Sequence, residues 1–399
     1  MNQSKSIALY LQLHQPYRVK RYTIFDTAHD HLYFNDEGSD DTNNRRVFER
    51  VAEKSYRPML TLLERLSEEL PEFRFSLSVT GTFLEQAEAW APDVIDSLTR
   101  LVASGHVELL AETYHHSLAF YYSQSEFETQ VNLHREKIFQ TFGVIPSVFR
   151  NTELAYDDRL AGWAASHGYK GILAEGWDPI LEWRSPNHLY RAAGTESLAL
   201  LVKNYRLSDD LAFRFAHDNW SAAHYMDRLH NSDDSAQLIN LFMDFETFGE
   251  HQWEHTGIFD FFAQFVHAWL QSGQQFVTTT EAIASLPQKG ELTMPETVTW
   301  ADSERDLSAW TGNALQQEAL KYVYALEHEV VQSGDKDLIS DWRKLLTSDH
   351  TYYMSTKWHD DGNIHAYFSP YSSPYDAFLS YMNVIRDIRW RVDQHRKAL

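Results

Sequence analysis

The chain has 399 residues, 43% of them hydrophobic, and its 57 acidic against 35 basic residues give a formal net charge of −22. A field of that sign repels phosphate backbones and anionic lipid, so nucleic acids and membrane surfaces are not expected as partners. The absence of cysteine excludes disulfides, thiolate metal sites and a cysteine nucleophile, and it suits a reducing, cytoplasmic location.

The N-terminal segment MNQSKSIALYLQLHQPYR contains a short apolar stretch that Gln12 and His14 interrupt. It has no small-residue cleavage site, which favours a first strand over a signal peptide. No apolar stretch of the sequence is long enough to span a bilayer. We therefore expect a cytoplasmic protein without a membrane span.

Short hydrophobic segments alternate with amphipathic ones over the first 290 residues. The hydrophobic segments predict strands at residues 6–14, 73–81, 107–112, 146–150, 171–174, 199–203, 237–244 and 274–279. Helical spacing predicts helices at 56–70, 93–104, 125–142 and 157–167, the third with a capping box of Ser125 and Glu128. Strands that alternate with helices form a parallel sheet, either a closed barrel or doubly wound. Because no glycine-rich phosphate loop follows a strand, we favour a distorted β/α barrel of seven or eight strands.

The sequence pattern changes after about residue 290, where strand signals become rare. Amphipathic patterns predict helices at 305–332, 337–348 and 373–399, and Ser373 and Pro374 suit the N-cap and first position of the last one. We therefore predict two domains, a catalytic barrel over residues 1–290 and a helical domain over 291–399 that contributes to the substrate cleft.

Two carboxylates stand where predicted strands end, which is where β/α barrels place their active sites. Glu153 lies in PSVFRNTELAY and Asp244 in LINLFMDFETFGEH. Either acid alone could simply cap the next helix. As a pair they match glycosidic bond cleavage, in which one carboxyl protonates the leaving oxygen and the other attacks or activates water. Glu246 is a candidate partner of Asp244, and Glu250 is expected in a loop.

Aromatic side chains near the strand ends are candidate sugar platforms. Sugar rings stack on aromatic faces, which gives Trp177, Trp253 and Trp300 a plausible role, although a single tryptophan is more often part of a core.

Histidines form a third group at the strand ends. They are His14, His115, His116 and His251. With Asp244 they could hold zinc, since imidazole and carboxylate suit that metal. No paired spacing such as HExxH is present, so hydrogen bonds to sugar hydroxyls are the preferred interpretation.

Five segments in order resemble the motifs of glycoside hydrolase family 57, in its α-amylase-like branch. They are LQLHQPYR, GHVELLAETYHHSL, FRNTELAY, MDFETFGEH and WADSERDLSAWTGN. The C-terminal segment YYMSTKWHDDGNIHAYFSPYSSPYDAF resembles the same branch. The resemblance implies a retaining, α-glucan-active enzyme on an incomplete (β/α)7 barrel with a C-terminal α-helical domain.

The resemblance also implies roles for individual residues. Glu153 is expected to be the nucleophile and Asp244 the general acid/base. The first motif implies substrate contacts at His14, Gln15 and Pro16, and the last implies contacts at Trp300, Asp302 and the region of Trp310. Together with the strand-end candidates, the predicted substrate contacts are His14, Gln15, His116, Trp177, His251, Trp253, Trp300, Asp302 and Trp310. No metal and no other cofactor is expected.

The leading prediction is an α-amylase-type hydrolase that cleaves α-1,4-glucosidic bonds of an α-glucan or maltooligosaccharide. A 4-α-glucanotransferase has the same catalytic pair and differs only in the acceptor. Two other classes stay open: a metal-dependent carbohydrate deacetylase or mannosidase, and a glucan-binding protein without activity. The intact carboxylate pair disfavours the last one, and the motifs do not report the oligomeric state.

Overall fold

The structure is a computed structural model that describes residues 4–35, 37–38, 40–233 and 235–398. Its strands are β1 (Ser6–Leu13), β2 (Phe75–Val79), β3 (Val107–Leu109), β4 (Val148–Phe149), β5 (Gly171–Glu175), β6 (Leu189–Ala192), β7 (Ala199–Lys203), β8 (Leu238–Asp244), β9 (Gln275–Val277) and β10 (Glu291–Leu292). All eight predicted strands are present, although β3 and β4 are much shorter than the apolar segments that contain them.

Parallel strands curl into a distorted barrel in the order β1, β2, β3, β4, β5, β7, β8 and back to β1. Two neighbouring strand pairs are connected by few backbone contacts. Ala111 bridges Phe149 between β3 and β4, and the Asn204 backbone N–H donates to the Asn240 carbonyl (2.9 Å) between β7 and β8. β6 runs antiparallel to β7. β9 pairs in parallel with the first residues of β1, Ser6 to Ala8, which β2 does not reach. The prediction of a distorted (β/α)7 barrel is confirmed.

Alternation along the strands decides which side chains face the barrel interior. In β1, Ala8 and Tyr10 pack inside with Phe242 of β8, while the odd-numbered residues pack outward against the helices. Continuing the same alternation places Gln12 and Asp244 inside, at the carboxyl ends of adjacent strands. The alternation of side chains along the strands therefore places these two polar side chains inside the barrel, at the carboxyl ends of its strands.

Helices cover the barrel and build the C-terminal part. They are α1 (Asn44–Val51), α2 (Arg57–Glu69), α3 (Gly81–Trp90), α4 (Pro92–Ala103), α5 (Gln124–Phe142), α6 (Asp158–Ser166), α7 (Asp178–Leu181), α8 (Tyr205–Ala212), α9 (Phe215–Asp218), α10 (Ala222–His230), α11 (Ile258–Gln271), α12 (Thr279–Ser285), α13 (Ser308–Thr311), α14 (Ala314–Ala325), α15 (Glu327–Ser333), α16 (Lys336–Leu345), α17 (Ser348–Tyr352), α18 (His359–Phe368) and α19 (Pro374–Ala398). A π-helical turn, Ala52–Tyr56, joins α1 to α2. Across the described ranges, none of these helices combines the length and apolar character needed to cross a membrane.

Two helix starts test the predicted caps. The cap of α5 is Ser123, whose hydroxyl accepts from the Glu126 backbone N–H (3.2 Å), so the predicted box of Ser125 and Glu128 is wrong by two residues. At α19 the Ser373 hydroxyl accepts from the Asp376 backbone N–H (3.2 Å), in agreement with its predicted N-cap role.

The C-terminal helices share a core of their own. Residues of α14, α15, α16 and α19 pack together there, and Val19, Tyr22 and Tyr33 from the segment after β1 join them. The division at residue 290 stays a prediction. β10 pairs with β6, and Val298 bridges Tyr156, so residues just beyond 290 still hydrogen-bond to the barrel side.

Candidate active site

A cavity of about 760 Å³ opens at the carboxyl ends of the barrel strands. Its wall combines strand ends with two later segments, residues 300–305 and 349–370. The predicted site residues that line it are His14, Gln15, His116, Glu153, Asp244, His251, Trp253, Trp300 and Asp302. The structure thus gathers both predicted catalytic carboxylates and most of the predicted contacts around one space.

Two predicted contacts lie elsewhere. Trp310 is 1% exposed and packs into a small core with Leu118 and Ala155, so neither face of its indole can receive a sugar ring. Trp177, just before α7, packs against the core under β5 and does not line the cavity. The cavity geometry therefore does not bring these two predicted contacts to the site: residue type identified aromatic rings, but only tertiary packing decides which of them face the cleft.

Glu153 is surrounded by hydrogen-bond donors. Its Oε1 accepts from His116 Nε2 (3.1 Å) and Ser348 Oγ (2.9 Å), and its Oε2 accepts from Trp300 Nε1 (2.9 Å). Burial raises the pKa of Glu153, but the hydrogen bond and charge of His116, supported by Arg150, outweigh burial and lower it below the ordinary value. Its backbone has a φ of 58°, a left-handed conformation that costs a non-glycine residue free energy and is typical of functional sites.

Asp244 has the opposite environment. Burial and the nearby charge of Glu153 raise its pKa to about 6, although Arg150 and Lys203 oppose the shift. Glu153 and Asp244 are therefore held in different protonation states near pH 6, the first ionised and the second partly protonated. This is the division of roles that an acid and a nucleophile require.

The other two acids of MDFETFGEH, Glu246 and Glu250, have different surroundings. Glu246 is 6% exposed, lines the cavity and accepts from the Tyr56 hydroxyl (2.7 Å); burial and the charge of Asp244 raise its pKa to about 8. Glu250 instead faces Lys54 (3.4 Å) and Arg50 (3.8 Å). Between them Gly249 has a φ of 104°, and a Cβ there would lie 1.9 Å from a backbone carbonyl oxygen, so no larger residue fits.

The buried polar residues behind His116 were not identified from the sequence as part of the site. Gln12, Glu112 and Arg150 are all at most 2% exposed and lie beneath the cavity floor or in it. The guanidinium of Arg150 stands over the Trp300 ring (4.8 Å). The only sequence signal was polarity at an inward-facing position of a buried strand, which Gln12 occupies.

The C-terminal segment supplies further missed residues. His14 Nε2 hydrogen-bonds to Asp349 (3.1 Å), and Asp349 follows Ser348, the donor to Glu153. Elsewhere in the cavity wall, Asp302 contacts His365 Nε2 (3.0 Å) and Lys357 Nζ (2.7 Å). Each of these pairs spans more than 50 residues of sequence, a distance over which local patterns carry no information.

Two groups in the described part of the chain have donor atoms close enough together for a metal ion. In the first, His14, His116 and Asp349 offer atoms within 4.8 Å of one another, but each already hydrogen-bonds within the site. In the second, which contains Asp302 and Glu304, the Lys357 ammonium lies 2.7 Å from both carboxylates. Existing protein partners account for both groups, and no metal is assigned to either.

Comparison with known proteins places these residues in a family. The sequence model of glycosyl hydrolase family 57 matches residues 8–295. A putative alpha-amylase of Methanocaldococcus jannaschii is 36% identical over 405 residues, which cover 97% of this chain and 85% of that protein.

Solved structures share the fold at low sequence identity. A family 57 branching enzyme of Thermococcus kodakaraensis superposes with a TM-score of 0.69 at 14% identity, covering 88% of this chain and 86% of that one. A 4-alpha-glucanotransferase of Thermococcus litoralis gives a TM-score of 0.60 at 17% identity, covering 92% of this chain and 54% of that one. The chain belongs to glycosyl hydrolase family 57 and is a glycoside hydrolase.

Proposed function

We propose that this enzyme cleaves α-1,4-glucosidic bonds of an α-glucan with retention of configuration, using Glu153 as nucleophile and Asp244 as general acid/base. The observation that carries the proposal is the opposite environment of two buried carboxyls in one cavity. Donors stabilise the charge of Glu153, whereas burial and repulsion favour the protonated form of Asp244.

In the first step Glu153 attacks the anomeric carbon while Asp244 gives its proton to the departing glycosidic oxygen. Once Glu153 is esterified its charge is gone, and the main repulsion that raised the pKa of Asp244 is removed. Asp244 then ionises more readily and acts as the base that activates water for the second step. The same coupling therefore supports both roles of Asp244.

The α-glucan is proposed as substrate because the relative that spans nearly the whole chain is a putative alpha-amylase. The cavity volume of about 760 Å³ is in the range of ligand-binding clefts, and Trp253 is half-exposed (51%) at its wall. Nucleic acid is not proposed as a partner, given the net charge of −22. We propose the cytoplasm as its location, on the absence of cysteine.

Transfer to a sugar acceptor is the second candidate. Met243, Phe213 and Phe368 give the cavity an apolar wall, which would favour a sugar over water as acceptor. A metal-dependent deacetylase or mannosidase is not supported, because His14 and His116, the two histidines whose ring nitrogens lie near one another in the cavity, are engaged with Asp349 and Glu153. A purely binding role is not supported either, because the chain is a glycoside hydrolase.

The test is to follow maltoheptaose by proton NMR and chromatography with purified enzyme. We expect the first-formed reducing ends to have the α configuration, with maltooligosaccharides shorter than the substrate. Products longer than maltoheptaose would indicate transfer. First-formed β reducing ends would contradict a retaining mechanism, and no turnover of any α-glucan would contradict the substrate assignment.

A further inference from the structure

A continuous line of hydrogen bonds runs from the barrel interior to Glu153. Arg150 Nη2 donates to Gln12 Oε1 (2.6 Å), Gln12 Nε2 lies 3.1 Å from His116 Nδ1, and His116 Nε2 lies 3.1 Å from Glu153 Oε1. The exposed fractions of Arg150, Gln12 and His116 are 0%, 2% and 3%, so water does not compete for these contacts.

The donor and acceptor at each contact follow from the first one. An arginine guanidinium has only N–H donors, so the Gln12 atom that faces it must be the oxygen. The opposite amide orientation would set two N–H donors 2.6 Å apart. Gln12 therefore presents its NH2 to His116, a contact that favours an Nδ1 without a proton over one that carries a proton. The proton of a neutral His116 ring then sits on Nε2, where it is donated to Glu153.

We propose that Gln12, anchored by Arg150, is a positioning residue that holds the proton of His116 on Nε2 and so keeps a hydrogen-bond donor aimed at Glu153. The other neutral tautomer would turn a lone pair toward the carboxylate. The inference rests on the proposed role of Glu153 as nucleophile. In that role the carboxylate must be both ionised and fixed in place, and a donor at Oε1 serves both needs.

Glu112 is the competing group at the same nitrogen. Its Oε2 lies 3.6 Å from His116 Nδ1 and 3.9 Å from Arg150 Nη1, and its charge favours a second proton on the ring. Burial lowers the pKa of His116, and the contacts with Glu112 and Glu153 outweigh burial and raise it to about 9. Gln12, the nearer neighbour of Nδ1, opposes that second proton.

Other elements also present charges to this ring. The titratable and charged groups around His116 are His14 stacked at 4.0 Å, Glu112, Arg150, Glu153, Asp244 and Asp349. Gln12 is neutral, so replacing it by another neutral residue alters the donor at Nδ1 while this set of charges stays the same.

The first experiment reads the ring directly and needs no turnover. Protein with ring-15N histidine is titrated by NMR, with Glu153→Gln and His116→Gln spectra to assign the His116 signals. As the pH rises, we expect wild-type His116 to lose its Nδ1 proton and keep the Nε2 proton. Loss of the Nε2 proton instead would overturn the proposal, whatever the enzyme's activity proves to be.

Two variants change the neighbour of Nδ1. Gln12→Glu replaces the NH2 donor by an acceptor of the same shape beside Arg150, so the pH at which Nδ1 loses its proton should rise. Gln12→Met removes the donor without adding charge, and because Glu112 is then unopposed, a smaller rise is expected. An unchanged His116 titration in both variants, or in Gln12→Met alone if Gln12→Glu does not fold, would overturn the proposal.

Kinetics separates positioning from a general loss of stability. We expect Gln12→Met to lower kcat by up to about 100-fold with a smaller change in KM, because misplacement of a reacting group is costly. The matched control is Gln316→Met, which removes a buried glutamine bonded to two backbone carbonyls in the helical part (2.7 and 2.9 Å). If the control lowers kcat equally, the effect of Gln12 is structural and the proposal fails.

Discussion

The two walls that carry Glu153 and Asp244 differ in what surrounds a buried carboxyl. The Glu153 wall brings three donors from separate segments, His116, Trp300 and Ser348, to one carboxylate. On the Asp244 wall, no side chain in the described ranges donates a hydrogen bond to that carboxyl. Similar depth with different donors gives opposite pKa shifts, so protonation here is decided by hydrogen bonds and charge more than by burial.

The largest effect is expected from removing the proposed nucleophile, Glu153. Glu153→Gln keeps the size of the side chain and can still bond to Ser348, but it cannot form the glycosyl-enzyme ester. We expect kcat on maltoheptaose to fall by at least about 10⁴-fold, with a melting temperature close to the wild-type value. Turnover within tenfold of wild type would place the nucleophile elsewhere in the cavity.

Asp244→Asn is expected to cost less, because only proton transfer is lost. General acid–base catalysis contributes about 10²- to 10⁴-fold, and we expect a loss in that range on maltoheptaose. An activated substrate whose leaving group needs no proton should be affected much less in its first step. Equal losses on both kinds of substrate would argue against Asp244 as the acid.

The pH profile of kcat/KM tests the role of the hydrogen-bond donors around Glu153. The proposed mechanism requires ionised Glu153 and protonated Asp244, so we expect a bell-shaped profile whose basic limb falls near pH 6, where Asp244 loses its proton. Trp300→Phe removes the donor to Glu153 Oε2, which raises the pKa of Glu153. The acid limb should then move to higher pH while the basic limb stays in place.

A hydrogen bond to a charged group contributes about 1.5–3 kcal/mol, so its loss should move the acid limb by about 1–2 pH units. Trp342→Phe is the matched control, since it removes an indole donor to a backbone carbonyl (2.8 Å) in the helical core. A shifted acid limb in the control would show that the readout follows stability.

Much of the barrel could be predicted because its information is local. Apolar strands, glycine or proline at helix ends, and acids just after strands are all visible in short windows of sequence, and these signals suffice to select Glu153 and Asp244. Ser348 and Asp349 could not be found this way. They lie nearly 200 residues after Glu153, and only the packing of the helical part on the barrel brings them to the cavity.

Residue type also does not show whether a side chain is buried in a core or faces the cavity. Trp300 and Trp310 lie in the same motif, yet Trp300 donates to Glu153 and Trp310 is enclosed in a core. Gln12 looked like an interruption of a strand, and its role depends on Arg150, a partner 138 residues away. Pairings between distant residues are set by the closed barrel, so no single segment specifies them.

The raised pKa of Glu246, close to Asp244, leads to a prediction about the pH dependence of stability. Glu246 has a pKa raised from 4.5 to about 8, so the folded protein holds a proton there that the unfolded chain releases above about pH 4.5. This contribution is complete below pH 4.5 and is lost as the pH rises through 8. Glu246→Gln should therefore flatten the fall of the melting temperature between pH 5 and pH 8. Glu250→Gln, beside Lys54 and Arg50, should leave that slope unchanged.

The smallest expected effect concerns the rim of the cavity. Trp253 is half-exposed and lines the cavity, and the Lys54 ammonium lies over its ring (4.7 Å). If Trp253 stacks on a sugar as predicted, Trp253→Ala should remove about 0.5–1.5 kcal/mol of binding. That corresponds to a rise in KM for maltoheptaose of about two- to tenfold, with kcat nearly unchanged. Trp183→Ala is the matched control, because Trp183 is 84% exposed and lies outside the cavity wall. Since neither substitution touches Glu153 or Asp244, a loss confined to kcat in Trp253→Ala would mean that the rim acts on the carboxylate pair and does not merely hold the sugar.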